Sequence, residues 1–254
     1  MTINYRQQEH KTAGQSLDLT GVDTLLFDLD GTLLPMDEEA FTRLYLGSLS
    51  AAFQDSYDPR LMQKTLWESV GLMTTNQGES TNETLLWTLM ESRFPGISSR
   101  KTEFDAYYRT TFDEARPACP ARAGTGAFLE KLKQAGYRLI LATNPIFPES
   151  AVRQRLRWAG VDPSLFTDIT TYENCVRCKP DPAYYREILN RNGLNPAQCV
   201  MIGNDTSEDM AAGSLGMQTF LLTDCLLNRK DLDTDQWPHG GFTALMEAFG
   251  CHSA

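Results

Sequence analysis

Short apolar runs alternate with helix-like patterns along most of the chain. The first run, "TLLFDL" (24–29), follows a turn signal and has the length of a buried strand. Four further runs stop in the same way at polar residues: "YRLILAT" (137–143), "TDITTY" (167–172), "QCVMIGN" (198–204) and "MQTFLLTD" (217–224). The pattern predicts five buried strands.

Apolar residues spaced by three and four predict a helix in each of four gaps between or beside these runs. Glycine stands at the expected end of each helix. The segments are 124–136, 148–160, 181–193 and 207–216, and their glycines are Gly136, Gly160, Gly193 and Gly216. Alternating strands and helices predict an α/β, Rossmann-like parallel sheet with helices on both faces.

Residues 37–115 carry the helical spacing alone, which predicts an inserted all-helical cap domain with hinges near Pro35 and Pro117. The predicted domains are a polar tail at 1–20, a catalytic core at 21–36 and 116–254, and the cap at 37–115. Trp67 and Trp87, at helical spacing with leucines, are predicted to pack in the interior. The final "FTALMEAF" predicts a short helix.

The chain of 254 residues has 33 acidic and 23 basic residues, a formal charge of -10, and no basic block. Nucleic acid and anionic membranes are therefore not expected as partners. An anionic substrate would demand a local cation, either a lysine or a metal ion. The N-terminal residues lack an apolar signal region, and no segment approaches the ~18 apolar residues of a membrane span, so a soluble, cytoplasmic protein is expected.

Six cysteines without a signal peptide favour free thiols over a disulfide framework. Cys175 and Cys178 have the spacing of a zinc-ligand pair, but no second pair completes four ligands. Two unreactive thiols are the favoured interpretation.

Polar residues follow three of the predicted strands, where ligands bind in open parallel sheets. They are Asp28 and Asp30 after the first strand, Thr143 and Asn144 after the second, and Asp205 and Asp209 after the fourth. Lys179 precedes a helix for which Asp181 is the predicted N-cap. All of these residues are expected to meet in one crevice.

Four motifs in this order resemble one family. They are "DLDGT" (28–32), Thr143 in "LATN", Lys179 in "CKP" and "GNDTSED" (203–209), with a cap-sized spacing after the first. The chain resembles the haloacid dehalogenase-like (HAD) hydrolase superfamily, in its phosphatase branch with a type-1 helical cap, over roughly residues 22–224.

The resemblance implies that Asp28 is a nucleophile that becomes an aspartyl phosphate. Asp30 would protonate the leaving group and then activate water. Dehalogenating members resemble this chain but lack the second aspartate, so Asp30 favours phosphoryl transfer. The expected substrate is a small soluble phosphomonoester.

A cation is expected among these carboxylates, since two unit charges 4 Å apart repel by about 4 kcal/mol at an effective dielectric of 20. The resemblance implies Mg²⁺, bound by the carboxylates of Asp28 and Asp205 and by the backbone carbonyl of Asp30. Asp209 would support the metal from further out.

The phosphoryl group would be held by Lys179 and by the hydroxyl of Thr143, with Asn144 and the backbone amide of Leu29 as further donors. Lys179 would also balance the charge of Asp28.

Other interpretations of single motifs exist. "DLDGT" could open a calcium loop ending at Glu39, although Leu33 occupies the position that requires glycine. "TSED" fits a capping box in which Thr206 caps a helix and Asp209 reaches back. At the level of function, a phosphomutase with the same core and a non-catalytic phosphate-binding or regulatory module both stay open.

Two loops are candidates for substrate specificity. "MTTNQGESTN" (73–82) offers Thr74, Asn76 and Gln77 to a substrate, or else is a solvated connector. "NPIFPES" (144–150) places Phe147 near the site, where it could form part of a pocket wall.

Overall fold

A computed structural model describes residues 16–251 of the chain. Six parallel strands form one sheet in the order β3-β2-β1-β4-β5-β6. The strands are β1 (Thr24–Phe27), β2 (Arg138–Leu141), β3 (Asp168–Ile169), β4 (Cys199–Gly203), β5 (Gln218–Leu222) and β6 (His239–Gly240). The first five lie within the five predicted runs, so the predicted parallel sheet is confirmed.

The edge strand β6 was not predicted. It is two residues long and pairs with β5 through Leu221 and His239. Its residues lie in a segment rich in glycine and proline, and two residues are too few to show an alternating pattern.

β1 lies at the centre of the sheet, paired with β2 through Leu25 and Leu139 and with β4 through Phe27 and Ile202. All four of its residues are buried. An apolar strand without polar alternation fits this position because helices cover both faces of a parallel sheet.

Eight α-helices accompany the strands among the described residues. They are α1 (Glu38–Ala52), α2 (Pro59–Thr74), α3 (Asn82–Arg93), α4 (Lys101–Arg109), α5 (Thr125–Gln134), α6 (Glu149–Trp158), α7 (Pro182–Asn192) and α8 (Phe242–Ala248). The predicted cap of α7 is confirmed, since the Asp181 carboxylate accepts a hydrogen bond from the amide of Ala183 at 2.8 Å. Gly136, Gly160, Gly193 and Gly216 all have positive φ, as expected at helix ends.

Two segments predicted to be helical are not single α-helices in the structure. The segment 207–216 contains a 3₁₀ helix at Met210–Leu215 instead of an α-helix. Within the predicted helical cap, residues 101–116 form α4 and then the start of a separate 3₁₀ helix, Thr111–Ala118. A 3₁₀ helix reads as helical in sequence because its side chains also recur at a spacing of three.

Helices α1–α4 lie between β1 and β2 and form the inserted helical cap of the fold. Aromatic rings pack inside it: Phe104 stacks on Phe53 at 4.1 Å between ring centroids and meets Trp87 edge to face. The prediction that Trp87 is buried is confirmed, but that for Trp67 is wrong, since Trp67 is 63% exposed. The boundaries predicted for the domains stay a prediction.

Residues 1–15 of the predicted tail lie outside the described residues. Leu17 and Leu19 pack against the main apolar core, and the amide of Asp18 donates to Gln218 Oε1 at 3.0 Å. The predicted C-terminal helix is α8. No helix within residues 16–251 has both the length and the apolar character needed to cross a membrane.

Candidate active site

The loop after β1 brings Asp28 and Asp30 to the carboxyl edge of the sheet. The amide of Asp28 donates to the carbonyl of Ile202 at 2.9 Å, which fixes the end of β1 against β4. Gly31 has φ of +80°, and a Cβ there would overlap the Asn204 side chain. A strand precedes this loop, so the arrangement is not that of a helix-loop-helix calcium site.

Lys179 joins the ends of β1 and β4. Its ammonium donates to Asp28 Oδ1 at 2.8 Å and to Asp209 Oδ1 at 2.6 Å, and its side chain is fully buried. Burial alone would lower the lysine pKa, but Asp209 and Asp28 together raise it well above its usual value. Lys179 is therefore a charged ammonium held between two carboxylates.

Burial shifts the pKa values of the two carboxylates, Asp28 and Asp209, in the opposite direction from that of the lysine. Burial raises the pKa of Asp28, and the Lys179 charge counteracts this. Burial, together with the nearby Asp28 charge, raises the pKa of Asp209 to about 6 against the lowering influence of Lys179. The charges are stabilised by each other instead of by water, which is the electrostatic state expected of a site prepared for an anion and a cation.

Asp205 follows β4 and caps the turn after it. Its Oδ1 accepts hydrogen bonds from the amides of Ser207 at 2.7 Å and Glu208 at 2.9 Å. The capping-box interpretation centred on Thr206 is wrong, because the Thr206 hydroxyl donates to the carbonyl of Leu227 instead. The capping residue is Asp205, one position earlier than the motif suggested.

Arg229, which sequence reasoning did not identify, donates to Asp205 Oδ2 at 2.8 Å and to Glu38 Oε2 at 2.7 Å. The Arg229 side chain is more than half exposed, so this contact lies near the solvent side of the crevice. It links a carboxylate of the core to the first cap helix, α1.

Asp209 uses both of its carboxylate oxygens on the protein. Oδ1 accepts from Lys179, and Oδ2 accepts from the amide of Asp205 at 2.9 Å. The approach depends on Gly203, where a Cβ would overlap the Asp209 carboxylate. Asp209 therefore orients the Lys179 ammonium and the backbone of Asp205. Its contact with a metal stays a prediction.

Thr143 and Asn144 follow β2 as expected. The carbonyl of Thr143 accepts from the hydroxyls of Thr170 at 2.7 Å and Tyr184 at 2.8 Å, which anchors the strand end. The Asn144 amide donates to Glu208 Oε2 at 3.1 Å, and its Oδ1 is buried without a protein partner among the described residues. Burial raises the pKa of Glu208 to about 7.

Asp30 contacts a second residue that sequence reasoning missed, Arg155 of α6. Arg155 Nη1 donates to Asp30 Oδ2, while Arg155 is buried and lies 4.3 Å from the centroid of the Phe147 ring. A sequence signal existed, since Arg155 falls on the buried stripe of α6 between Ala151 and Ala159. An arginine in such a stripe needs an acidic partner.

A cavity of about 280 Å³ opens beside Asp30, between the cap helices and the loop after β2. Phe147 lines it, in the place expected for a pocket wall. Asn76 lies elsewhere: its buried amide donates to the carbonyls of Val176 at 2.7 Å and Ser80 at 2.9 Å. Gln77 contacts Asp181, so neither side chain lines this cavity.

The oxygens at this edge suit a hard divalent cation. The candidate donors are the carboxylates of Asp28 and Asp205 and the carbonyl of Asp30, without nitrogen or sulfur. Asp205 Oδ1 accepts hydrogen bonds from backbone amides, and Oδ2 is paired with Arg229. Oδ2 is therefore the oxygen that would face the cation. Within residues 16–251 no three His, Cys, Asp or Glu side chains cluster as metal ligands, which includes the Cys175–Cys178 region.

Comparison with known families identifies one match. The family model for the haloacid dehalogenase-like hydrolases matches residues 22–215. Among curated proteins, pyrophosphatase PpaX of Bacillus velezensis is 28% identical over 203 residues, which cover 78% of this chain and 82% of PpaX. A phosphoglycolate phosphatase of Psychrobacter arcticus is 26% identical over 211 residues, covering 78% of this chain and 82% of the relative.

Solved structures share the fold. A protein described as a predicted phosphoglycolate phosphatase from Haemophilus somnus superposes with a TM-score of 0.54 at 21% sequence identity. The match covers 91% of this chain and the whole of the other. At this identity the likeness extends to the fold alone.

Proposed function

Because the chain belongs to the haloacid dehalogenase-like hydrolases, in their phosphatase branch, we propose that it is a Mg²⁺-dependent phosphatase that hydrolyses a small phosphomonoester through a covalent intermediate on Asp28. The observation that carries the proposal is the buried contact of Lys179 with Asp28 and Asp209, at 2.8 and 2.6 Å. A cytoplasmic location stays a prediction.

In the first step Asp28 attacks phosphorus. Its Oδ1 is held by Lys179, so Oδ2 is the attacking oxygen. A bond forms between Oδ2 and phosphorus, and the ester bond to the leaving oxygen breaks. Asp30 gives its proton to that oxygen, so the leaving group departs as a neutral alcohol.

In the second step water releases the phosphate. Asp30, now a carboxylate, takes a proton from a water molecule, which attacks phosphorus. The bond between phosphorus and Asp28 breaks, and inorganic phosphate and the Asp28 carboxylate are restored. Asp30 thus ends the cycle protonated, as it began.

Protein donors neutralise the transferred group. Lys179 supplies a positive charge within a buried environment, where it acts more strongly than in water. The Thr143 hydroxyl and the Asn144 amide follow β2 and are the proposed donors to phosphoryl oxygens. Their backbone is anchored by Thr170 and Tyr184, which limits the motion of the donors.

Asp28, Asp205 and the carbonyl of Asp30 are the proposed ligands of Mg²⁺, with Asp209 in support. When bound, the metal supplies positive charge to the phosphoryl oxygens and offsets the repulsion among the carboxylates. The oxygen-only donor set supports this choice of ion.

The test compares two aspartates at opposite ends of β1. Asp28→Asn removes the proposed nucleophile at the carboxyl end, and Asp23→Asn makes the same chemical change at the exposed amino end. Phosphate release is measured on sugar phosphates, phosphoglycolate and pyrophosphate, with Mg²⁺ and with a chelator. We expect Asp28→Asn to lower kcat by at least roughly 10³-fold and Asp23→Asn to retain it.

The outcomes separate the alternatives. Activity that survives Asp28→Asn would show that Asp28 is not the nucleophile. An isomerised phosphate ester in place of free phosphate would identify a phosphomutase. Binding of phosphate esters without turnover under any metal condition would identify a non-catalytic module.

A further inference from the structure

The cavity described above adjoins Asp30, the proposed proton donor. We propose that it accommodates the leaving group, and that the substrate is the phosphomonoester of a neutral, apolar alcohol. This inference rests on the proposed function, because it takes Asp30 as the proton donor to the leaving oxygen. It goes further by naming the chemical class of the alcohol.

The position of the cavity follows from the role of Asp30. A proton donor must lie within hydrogen-bonding distance of the oxygen that departs. Asp30 lines the cavity, so a group attached to that oxygen extends into it. The volume of about 280 Å³ equals that of roughly nine water molecules, enough for a small organic group.

The lining is apolar. Most of its aliphatic and aromatic members come from cap helices α1–α3 and the loop after β2, among them Phe41, Leu66, Val70, Met73, Ile146 and Phe147. Several hydroxyl groups on the lining already have partners. The hydroxyls of Tyr45 and Tyr108 bond to each other at 2.8 Å, and the Ser69 hydroxyl donates to the Leu66 carbonyl at 2.6 Å.

The charges around the cavity disfavour an anionic leaving group. Among residues 16–251, its lining includes no lysine or arginine, and its ionisable acids are Asp30 and Glu38. Arg155 lies behind Phe147 and is paired with Asp30. The Glu38 carboxylate is likewise paired, with Arg229 at 2.7 Å, so a second anionic group in the cavity would have no lysine or arginine of the described lining to pair with, which is unfavourable.

The substrate class proposed here differs from the substrates that the relatives' names state. Phosphoglycolate carries a carboxylate on its leaving group, and pyrophosphate carries a second phosphate. Both groups would require a positive partner inside the cavity. The side chains of the lining are instead mostly aliphatic and aromatic.

Trp67 marks the opening of the cavity. It lies on α2 beside Leu66 and lines the cavity, yet 63% of its surface is exposed. A tryptophan that remains so exposed has a large apolar area available to a ligand. Its position extends the apolar surface outward from Val70, one turn further along the same helix.

The first test varies only the apolar length of the substrate. Ethyl, butyl and hexyl phosphate carry the same charge and have similar leaving groups, so differences in kcat/KM report contacts with the cavity. We expect a gain of about three- to fourfold for each methylene that enters the cavity. Hexyl phosphate should exceed ethyl phosphate at least 30-fold and should exceed phosphoglycolate and pyrophosphate. Equal rates along the series, or a preference for either anion, would overturn the inference.

The second test places a cation in the cavity. Val70→Lys adds a positive charge to the lining, and Leu72→Lys adds the same charge to an exposed position of α2 outside the lining. We expect Val70→Lys to raise the ratio of phosphoglycolate to hexyl phosphate activity at least tenfold and Leu72→Lys to leave it unchanged. Equal ratios in the two variants would contradict the assignment.

Trp67→Ala tests the opening with little risk to folding, because the side chain is exposed. We expect the advantage of hexyl over ethyl phosphate to fall at least threefold. An unchanged advantage would exclude Trp67 from the binding surface.

Binding separates this inference from the proposed catalysis. Calorimetry with ethylphosphonate and hexylphosphonate, which cannot be hydrolysed at a P–O ester bond, is performed on the wild-type protein with Mg²⁺. Tighter binding of hexylphosphonate, by at least 30-fold, supports the cavity assignment even if Asp28→Asn shows the proposed catalysis to be wrong. Equal binding of the two overturns the assignment even if the protein is a phosphatase.

Discussion

Arg155 illustrates what single residues contribute beyond the recognisable motifs. Asp28 and Asp30 could be predicted from the sequence because a pair of carboxylates directly after an apolar strand is unusual. Arg155 could not be linked to Asp30, which lies 125 positions earlier in the chain. Only the folded sheet brings α6 to the loop after β1.

The contact suggests that Arg155 positions Asp30. Asp30 Oδ1 and the Arg155 atoms Nε and Nη2 are buried without protein partners among the described residues, so the pair has one bond and spare polar atoms. We expect Arg155→Met to lower kcat by roughly 10²-fold with KM little changed, because misplacing the proton donor by about 1 Å costs this much. Arg155→Lys should recover part of the loss.

Measuring the stability of the Arg155 variant separates a positioning role from a purely structural role. Arg155→Met should also lower the free energy of unfolding by roughly 1–3 kcal/mol, below the usual cost of breaking a buried pair because the Asp30 side chain is 28% exposed. Urea denaturation measures this, with Arg157→Met on the exposed side of α6 as the control. A destabilised variant with wild-type kcat would show that Arg155 has only a structural role.

At the scale of elements, strands β1–β5 were predictable because each lies in a short apolar or β-branched run that stops at polar residues. The differences have physical causes. Strand β6 is too short to show a period, and within the predicted helical cap the segment 101–116 divides at Thr110. The exposure of Trp67 could not be predicted, because helical spacing shows which residues share a face but does not show what covers that face.

The connection between cap and core also depends on polar contacts, which the spacing of apolar residues in the sequence does not reveal. Asn82 is fully buried at the start of α3 and donates to the carbonyl of Pro145 at 3.0 Å and to the Cys178 sulfur at 3.3 Å. Asn76 donates to the carbonyl of Val176. The loop 73–82 is therefore anchored at its two buried asparagines, while residues 77–80 between them are exposed as in a solvated connector, and the Asn76 amide is occupied by protein carbonyls.

Asn82→Ala should destabilise the protein by about 1–3 kcal/mol, because it leaves the buried Pro145 carbonyl without its donor. Gln77→Ala, which removes an exposed bond of 3.2 Å to Asp181, should change stability by no more than about 0.5 kcal/mol. Urea unfolding of both variants gives the comparison. A similar effect of the two substitutions would mean that the Asn82 contacts do not join cap and core.

At the scale of the whole molecule, the charge distribution is consistent with the proposed chemistry. A chain with a formal charge of -10 needs a local cation to bind phosphate, and Lys179 is buried between Asp28 and Asp209. The core supplies this polar site, and the cap supplies most of the apolar cavity beside Asp30. Phosphate recognition and recognition of the alcohol are thus assigned to different parts of the fold.

The sequence indicated the core residues of the site because they lie in short local motifs at strand ends. The character of the cavity could not be predicted, since its lining comes from segments that are distant in sequence and meet only through folding. Arg229 was missed for the same reason. It reaches both Asp205 and Glu38 from a loop beyond the last recognised motif.

The most direct test of the account is to trap the covalent intermediate. The enzyme is quenched in acid during turnover of its best phosphomonoester and treated with borohydride, which reduces an acyl phosphate to an alcohol, and its peptides are sequenced by mass spectrometry. If Asp28 is the nucleophile, homoserine is expected in place of Asp28, dependent on substrate and absent at Asp30. Active turnover with unmodified Asp28, or with the modification at another residue, would contradict it.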